Sequence, residues 1–467
     1  MKIQWIQTGI VLTMLLVACR PASAPVPDVS QAAAPTVAPQ AASPTEAPKI
    51  EPTKAEAAAA PAADGKVTLK VWAHQAPAFN EADKLMIAAF QKENPNVEIK
   101  YETFPWDVYI QTLQTSMPAG TTADVIHLPG GYTCNYGLGG QLLEVPGDML
   151  SMAQAKEAFF AAPLGGQTCN GKLFGLPSEY NLEYGGAYVN QSAFEKAGLT
   201  YPPDWKTWDD LVATTKKLVV MDGQNMTKAG LHYSNSDQLY TYFLSGILQQ
   251  GANYFADDGK HFKFDSPESI KTIALLTKMA KDDKVVDPTT FNGDNNWVGE
   301  SFAQGNVGVG VLGSWYAGDA KSAHPDLKFD YVGLPPMFGN EHKFVSVGGW
   351  ARVVGKGTKQ ADLAWKLAMF MANNKDNALL FNTTTATVPA MKVVAADAAL
   401  LAKAPFLKAT LPLLPFGAYQ GELTDAGQLE FDIIYPALLK ALKGEVSPEE
   451  TAKTINEEAN AMVDAKK

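Results

Sequence analysis

Residues 67–104 read VTLKVWAHQAPAFNEADKLMIAAFQKENPNVEIKYETF. The opening Val67-Thr68-Leu69-Lys70-Val71-Trp72 alternates apolar and polar side chains, the period of a half-buried strand. Residues 80–94 then carry Leu85, Ile87, Ala88, Ala89 and Phe90 on a helical period, and Asn94-Pro95-Asn96 stops the helix. A second strand follows at 97–103, a helix at 106–117 and a third strand at 123–128. Strands alternating with helices predict an α/β fold with a parallel sheet. Ligands of such sheets gather at the carboxyl ends of the strands. Those ends are Trp72-Ala73-His74-Gln75, Thr103-Phe104-Pro105-Trp106 and His127-Leu128-Pro129-Gly130.

Beyond Gly175-Leu176-Pro177 the chain makes a long excursion. Thr207 followed by Asp210 marks a helix start close to a capping box. Further helices are predicted at 268–280, 361–372, 397–403, 429–442 and 448–464. Strands are predicted at 305–312 and at 329–333, the latter leading to Leu334-Pro335-Pro336.

The whole chain has 467 residues, 46% hydrophobic, with a formal charge of −11. Such composition is that of a globular protein, and its acidity argues against a nucleic-acid surface. Arg20 and Arg352 are the only arginines, too few for a phosphate-reading cluster. Three cysteines make a multi-cysteine metal domain improbable. At the N-terminus, Lys2, an apolar run over 10–17 and Ala18-Cys19 describe an export signal. Residues 19–65 are dominated by alanine and proline, a composition that cannot bury enough surface to order itself and reads as a tether.

Several later strings resemble one family. N-G-K-L-F-G-L-P at 170–177 is followed by A-Y-V-N-Q-S-A-F-E-K-A-G-L at 187–199 and P-P-D-W-K-T-W-D-D-L at 202–211. A-D-V-I at 123–126, F-A-Q-G-N-V-G-V at 302–309, G-S-W at 313–315 and V-G-G-W at 347–350 complete the pattern. Together they resemble the extracellular solute-binding proteins of ATP-binding-cassette importers, in the carbohydrate-binding group related to maltose-binding protein. The resemblance implies a two-lobed periplasmic-binding-protein-like α/β fold, hinged between the lobes, that binds and delivers a ligand and is not an enzyme. Carried onto this chain, lobe one is 66–177 plus 333–372 and lobe two is 180–330 plus 375–467. The implied partners are a small carbohydrate and ABC permease subunits, with a monomeric chain and no nucleic acid. One departure is Pro389-Ala390-Met391, where many relatives have Pro-Ala-Arg. Leu16-Val17-Ala18-Cys19 resembles a bacterial lipobox, which implies cleavage of residues 1–18 and a lipid on Cys19. The mature chain is then held to the outer face of the cytoplasmic membrane by its acyl chains.

A pyranose offers apolar C–H faces and a rim of hydroxyls, so its site needs aromatic planes and planar polar groups. Trp315 and Trp350 resemble family positions at the ligand, and Trp106 and Trp297 are further candidates. Gln75, Glu179, Asn181, Asp237 and Asp425 are candidates for the hydroxyl rim, with His74 and His127 behind them. Tyr180, Tyr184, Tyr240 and Tyr242 divide between cleft and core. Trp72, Trp205, Trp208 and Trp365 are assigned to packing, and Arg352 to a structural ion pair. After lipidation Cys134 and Cys169 are the remaining thiols. In oxidising surroundings they are expected to pair, closing a loop of about 35 residues, the alternative being two buried thiols.

Gly308-Val309-Gly310-Val311-Leu312-Gly313 fits G-x-G-x-x-G, but its glycines lie within an apparent strand and no cofactor helix opens there. No H-E-x-x-H, G-x-S-x-G or phosphate-loop string occurs, and the oxygen-rich 292–296 lacks calcium-loop register. No cofactor and no metal are expected. A polyamine, glycerol-phosphate or peptide ligand is the alternative within the binding class. A secreted carbohydrate-active enzyme is the alternative outside it, with Glu179 and Asp237 or Asp425 as its carboxylates.

Overall fold

The computed structural model describes residues 66–182, 185–293, 296–423 and 425–466. The export signal, Cys19, the tether to residue 65 and Tyr184 lie outside the described residues. Two five-stranded sheets organise the described chain. In chain order their strands are β1 (Val67–His74), β2 (Val97–Phe104), β3 (Val125–Pro129), β4 (Gly175–Pro177), β5 (Gly186–Asn190), β6 (Val220–Asp222), β7 (Asn225–His232), β8 (Val307–Val311), β9 (Phe329–Gly333) and β10 (Trp350–Val354). The first sheet runs β2-β1-β3-β10-β4 and the second β9-β5-β8-β7-β6.

Parallel pairing, expected throughout from the alternation, holds only in part. β1 pairs in parallel with β2 and β3, and β8 with β7, each across intervening helices. β10 is antiparallel to both β3 and β4, and β5 is antiparallel to both β8 and β9. The reason is connectivity: a parallel neighbour needs a crossover helix. β5 and β10 are entered directly as the chain passes from one sheet to the other, and β4 is the strand from which the first passage leaves.

Helix Pro77–Glu93 begins three residues before the sequence suggested, because Pro77 suits the first turn, where its missing N–H costs nothing. Residues 429–442 form not one helix but two, a π-helical Gln428–Ile434 and an α-helical Tyr435–Lys443. Pro436 has no N–H for the carbonyl four residues back, which favours the wider turn. Helix Ser236–Gln249 went unread; it is buried on nearly all sides, with every residue from Gln238 to Ile247 inside. Gly308 and Gly310 do lie inside a strand, central β8.

The first sheet is covered on both faces. Leu69, Val71, Val125 and Val354 face a core shared with helices Pro77–Glu93 and Ala361–Ala372. Ile126, Leu128 and Val353 face the opposite core, against helix Trp106–Ala119. Neighbouring valines and isoleucines thus part to opposite faces, as the period of two requires. Trp365 and Trp208 are buried, while Trp72 and Trp205 are partly buried against the cores.

The cores also move the expected lobe boundaries. Leu334, Met337, Phe344 and Val345 pack with the second sheet, so 333–346 does not belong with the first. Conversely Ala378, Phe381, Ala390, Met391 and Val394, expected in lobe two, pack with the first. Chain passage after β9 therefore occurs not at Leu334-Pro335-Pro336 but between Phe344–Ser346 and β10. Gly348 and Gly349 lie there with φ of 99° and 90°. A Cβ on Gly349 would stand 2.5 Å from the Glu179 carbonyl oxygen, on the neighbouring passage between β4 and β5. Only glycine allows that approach.

Candidate functional site

A cavity of about 990 Å³ lies between the carboxyl ends of the two sheets. One wall comes from the first sheet. His74 ends β1, Trp350 opens β10, and Trp106 opens the helix after Pro105. The His74 ring stacks on Trp350 with centroids 5.6 Å apart, and Trp106 meets Trp350 edge-on at 6.0 Å. Two residues along β10, buried Arg352 forms a two-pronged ion pair with Asp83 on helix Pro77–Glu93. The Tyr101 hydroxyl donates to the same carboxylate at 3.0 Å. Arg352 therefore holds β10, and with it Trp350, in register.

The facing wall comes from the second sheet. Trp315 sits between β8 and helix Tyr316–Ala323, and Trp297 just before helix Val298–Ala303. Their rings are near-parallel, 22° apart in plane with centroids at 6.3 Å. Tyr316 presents an edge to both and donates its hydroxyl to the Gly299 carbonyl at 2.6 Å.

Carboxylates from three separate segments also line the cavity. Asp237 lies in the first turn of helix Ser236–Gln249, Asp319 in helix Tyr316–Ala323, and Asp425, Glu430 and Asp432 around the π-helical turn. Burial pushes Asp319 up from the ordinary carboxylate range. At Asp425 burial acts the same way, but the Gln428 N–H at 2.9 Å and the Lys466 ammonium outweigh it and hold it low. Burial and the charges of Glu430, Asp425 and Asp237 push the Tyr132 phenol up, so these three acids act on one spot of the wall. Burial depresses His74, and burial with the Arg352 and His74 charges depresses His127 well below its usual value. Both imidazoles are neutral at pH 7.

Among the buried polar atoms of the described wall, His127 Nε2 and Asn181 Oδ1 lack a hydrogen-bond partner. Tyr240, by contrast, donates its hydroxyl to Gln420 Oε1 at 3.0 Å, and Tyr254 to the Gln420 carbonyl at 2.7 Å. Among the described residues no group of three or more His, Cys, Asp or Glu side chains is placed to hold a metal.

Of the candidates read from sequence, the cavity brings together Trp106, Asn181, Asp237, Trp297, Trp315, Trp350 and Asp425, with His74, His127 and Tyr240. Gln75 and Glu179 are not in its wall. Gln75 is exposed between two lining residues, His74 and Ala76, whose side chains the extended backbone turns the other way. Glu179 is buried in the β4–β5 passage beneath Gly349. Tyr180 and Tyr242 are core residues. Sequence reasoning missed Tyr132, Asp319, Gln420, Glu430 and Asp432. The acid-rich run Asp425–Asp432 was the available signal, masked by its reading as the approach to an ordinary helix. Cys134 and Cys169 are joined by a disulfide. It ties helix Gly130–Leu138, whose Tyr132 and Asn135 line the cavity, to the hairpin of Thr168–Cys169 and Lys172–Leu173.

Residues 85–409 match the family model described as bacterial extracellular solute-binding protein. The chain belongs to that family. A galactooligosaccharide-binding protein of Bacillus subtilis is 27% identical over 326 residues, 68% of this chain and 71% of its own. A multiple sugar-binding protein of Streptococcus mutans is 23% identical over 331 residues, 66% and 71% of the two chains. A solute-binding protein of Thermotoga lettingae, solved with α-D-tagatose, superposes with a TM-score of 0.69 at 23% identity, covering 85% of this chain and 99% of its own. The maltose/maltodextrin-binding domain of Bdellovibrio bacteriovorus, solved with maltotriose, gives 0.69 at 17% identity over 85% and 100%. The two-lobed fold of this solute-binding protein is thus the one shared by these structures, with the cavity between the lobes.

Proposed function

We propose that this protein captures a carbohydrate, an oligosaccharide in the first instance, outside the cytoplasm and hands it to the permease of an ABC importer. The observation that carries the reading is the pair of aromatic walls. His74, Trp106 and Trp350 on one lobe face Trp297 and Trp315 on the other across about 990 Å³. Indole planes at that site suit the C–H faces of stacked pyranose rings. Asn181, Asp237, Asp425 and His127 then accept or donate to the hydroxyl rim.

Ligand touching both walls favours the closed form by its differential affinity, and the chain passages after β4 and after Phe344–Ser346 absorb the motion. Lobe one comprises 66–177 with 350–395, and lobe two the remainder of the folded body. In this reading Cys19 carries the lipid anchor, the 19–65 segment is the tether, the protein works as a monomer, and no bond of the ligand is broken. The names of the relatives from Bacillus subtilis and Streptococcus mutans support a sugar.

Calorimetry of the purified protein against a panel of mono- and oligosaccharides tests the reading. At least one should bind and be recovered unchanged. Silence across the panel from folded protein removes the sugar assignment, and release of shorter products replaces binding with hydrolysis.

A further inference from the structure

The formal charges in the described lining of the cleft are all of one sign. Five carboxylates line it, Asp237, Asp319, Asp425, Glu430 and Asp432, and among its described lining residues none is lysine or arginine. The two histidines of the wall are neutral, for the reasons of burial given above. Arg352 is committed to Asp83 behind the aromatic wall. Lys466 pairs with Asp425.

Among the described residues, Asp237, Asp319 and Asp432 share no ion pair with a lysine, an arginine or a histidine. A neutral sugar entering this cleft would meet acceptors in excess and leave their charge uncompensated as closure expels water. His127 Nε2 adds an independent sign of an expected guest: the side chain is 2% exposed, in the cavity wall, and that nitrogen has no partner in the protein. Indole faces add to the attraction for a cation, since their quadrupole favours positive charge over the ring.

Resting on the carbohydrate reading above, we infer that the preferred ligand is a cationic amino sugar, an oligosaccharide with free protonated amines, whose rings stack on the tryptophans and whose ammonium groups meet the lining carboxylates Asp237, Asp319, Asp425, Glu430 and Asp432. The aromatic walls account for the sugar and the lining carboxylates for the amine. A bare polyamine would use the second feature and waste the first.

Calorimetry with matched trimers tests this: glucosamine and galactosamine oligomers, their fully N-acetylated forms, and the parent hydroxyl oligomers of the same linkage, with spermidine alongside. A free-amine trimer should bind about 10-fold or more tighter than both of its counterparts at low salt, because charge-assisted hydrogen bonds exceed neutral ones. That preference should shrink severalfold at about 0.5 M salt, where exposed charges are screened. Asp237→Asn and Asp319→Asn should each lower the amine-to-hydroxyl affinity ratio. Equal or tighter binding of a neutral or acetylated trimer overturns the inference and leaves the sugar reading standing. Spermidine bound in preference to every sugar, or no binding by any probe, overturns both.

Discussion

The two aromatic walls are built differently. Trp350 stands on a strand of the first sheet, hydrogen-bonded between β3 and β4, and two residues further on Arg352 is locked to Asp83 inside the lobe. Trp106 opens a helix of 14 residues, and the Cys134–Cys169 disulfide braces the helix that supplies Tyr132 and Asn135. Trp297 and Trp315 instead precede helices of six and eight residues. A wall fixed by strands and a buried charge pair is preorganised, whereas one carried on short helices and their connections adapts. The comparison teaches that lobe one offers the rigid platform and lobe two the adjustable clamp.

Removing the charge pair should break the platform most severely. Arg352→Met leaves Asp83 buried without its partner and should cost about 3–5 kcal/mol in denaturant unfolding. A loss under about 1 kcal/mol would mean that β10 is held by packing alone. Cys134→Ser with Cys169→Ser should cost about 2–4 kcal/mol, less than the charge pair, because it frees one loop of lobe one. Comparable unfolding with and without reductant would remove the disulfide from the account of the platform.

For ligand affinity, Trp350→Ala should cost about 2 kcal/mol or more, as central aromatic anchors do, and exposed Trp297→Ala about 1 kcal/mol. Calorimetry with whichever sugar binds checks the order, and a larger loss at Trp297 would invert the assignment of platform and clamp.

Acid provides a further test, directed at lobe two. Burial lowers His232 to about 4, with its Nε2 bonded to the Asn296 carbonyl at 2.8 Å and its Nδ1 accepting from the Ser234 N–H at 3.2 Å. A second proton on the ring would break the latter bond. The unfolded chain takes up that proton near pH 6.5, so stability is retained above pH 6.5. It falls by about 1.4 kcal/mol per unit as pH drops from there toward 4. Burial of His127 adds a loss of the same sign in lobe one. His232→Gln should flatten the dependence of Tm on pH, and an unchanged slope would clear this group.

Much of this was readable from local pattern. Alternation over 67–104 located β1, β2 and the helix between them. Trp315 and Trp350 are legible through their resemblance to family positions at the ligand. Asp425 and Asp237 are legible as acids on predicted strand ends or loops. Glu179 looked the same by that criterion yet is buried in a passage between the lobes, because no local signal says which side of a connection meets the cleft. The lobe boundaries failed for a related reason: Pro335-Pro336 looks like a hinge, but the apolar residues around it had a core to join on lobe two.

What the sequence by itself determined is the set of elements, through periods of two and of 3.6 residues, and the supply of indoles and carboxylates without arginines to oppose them. Which of these groups share a cavity was decided only by tertiary structure. His74, Asp237, Trp315, Trp350 and Glu430 are far apart in the chain and meet because two sheets, each with its own apolar faces buried, leave their strand ends opposed. That opposition is a property of packing over the whole chain, and no window of sequence contains it.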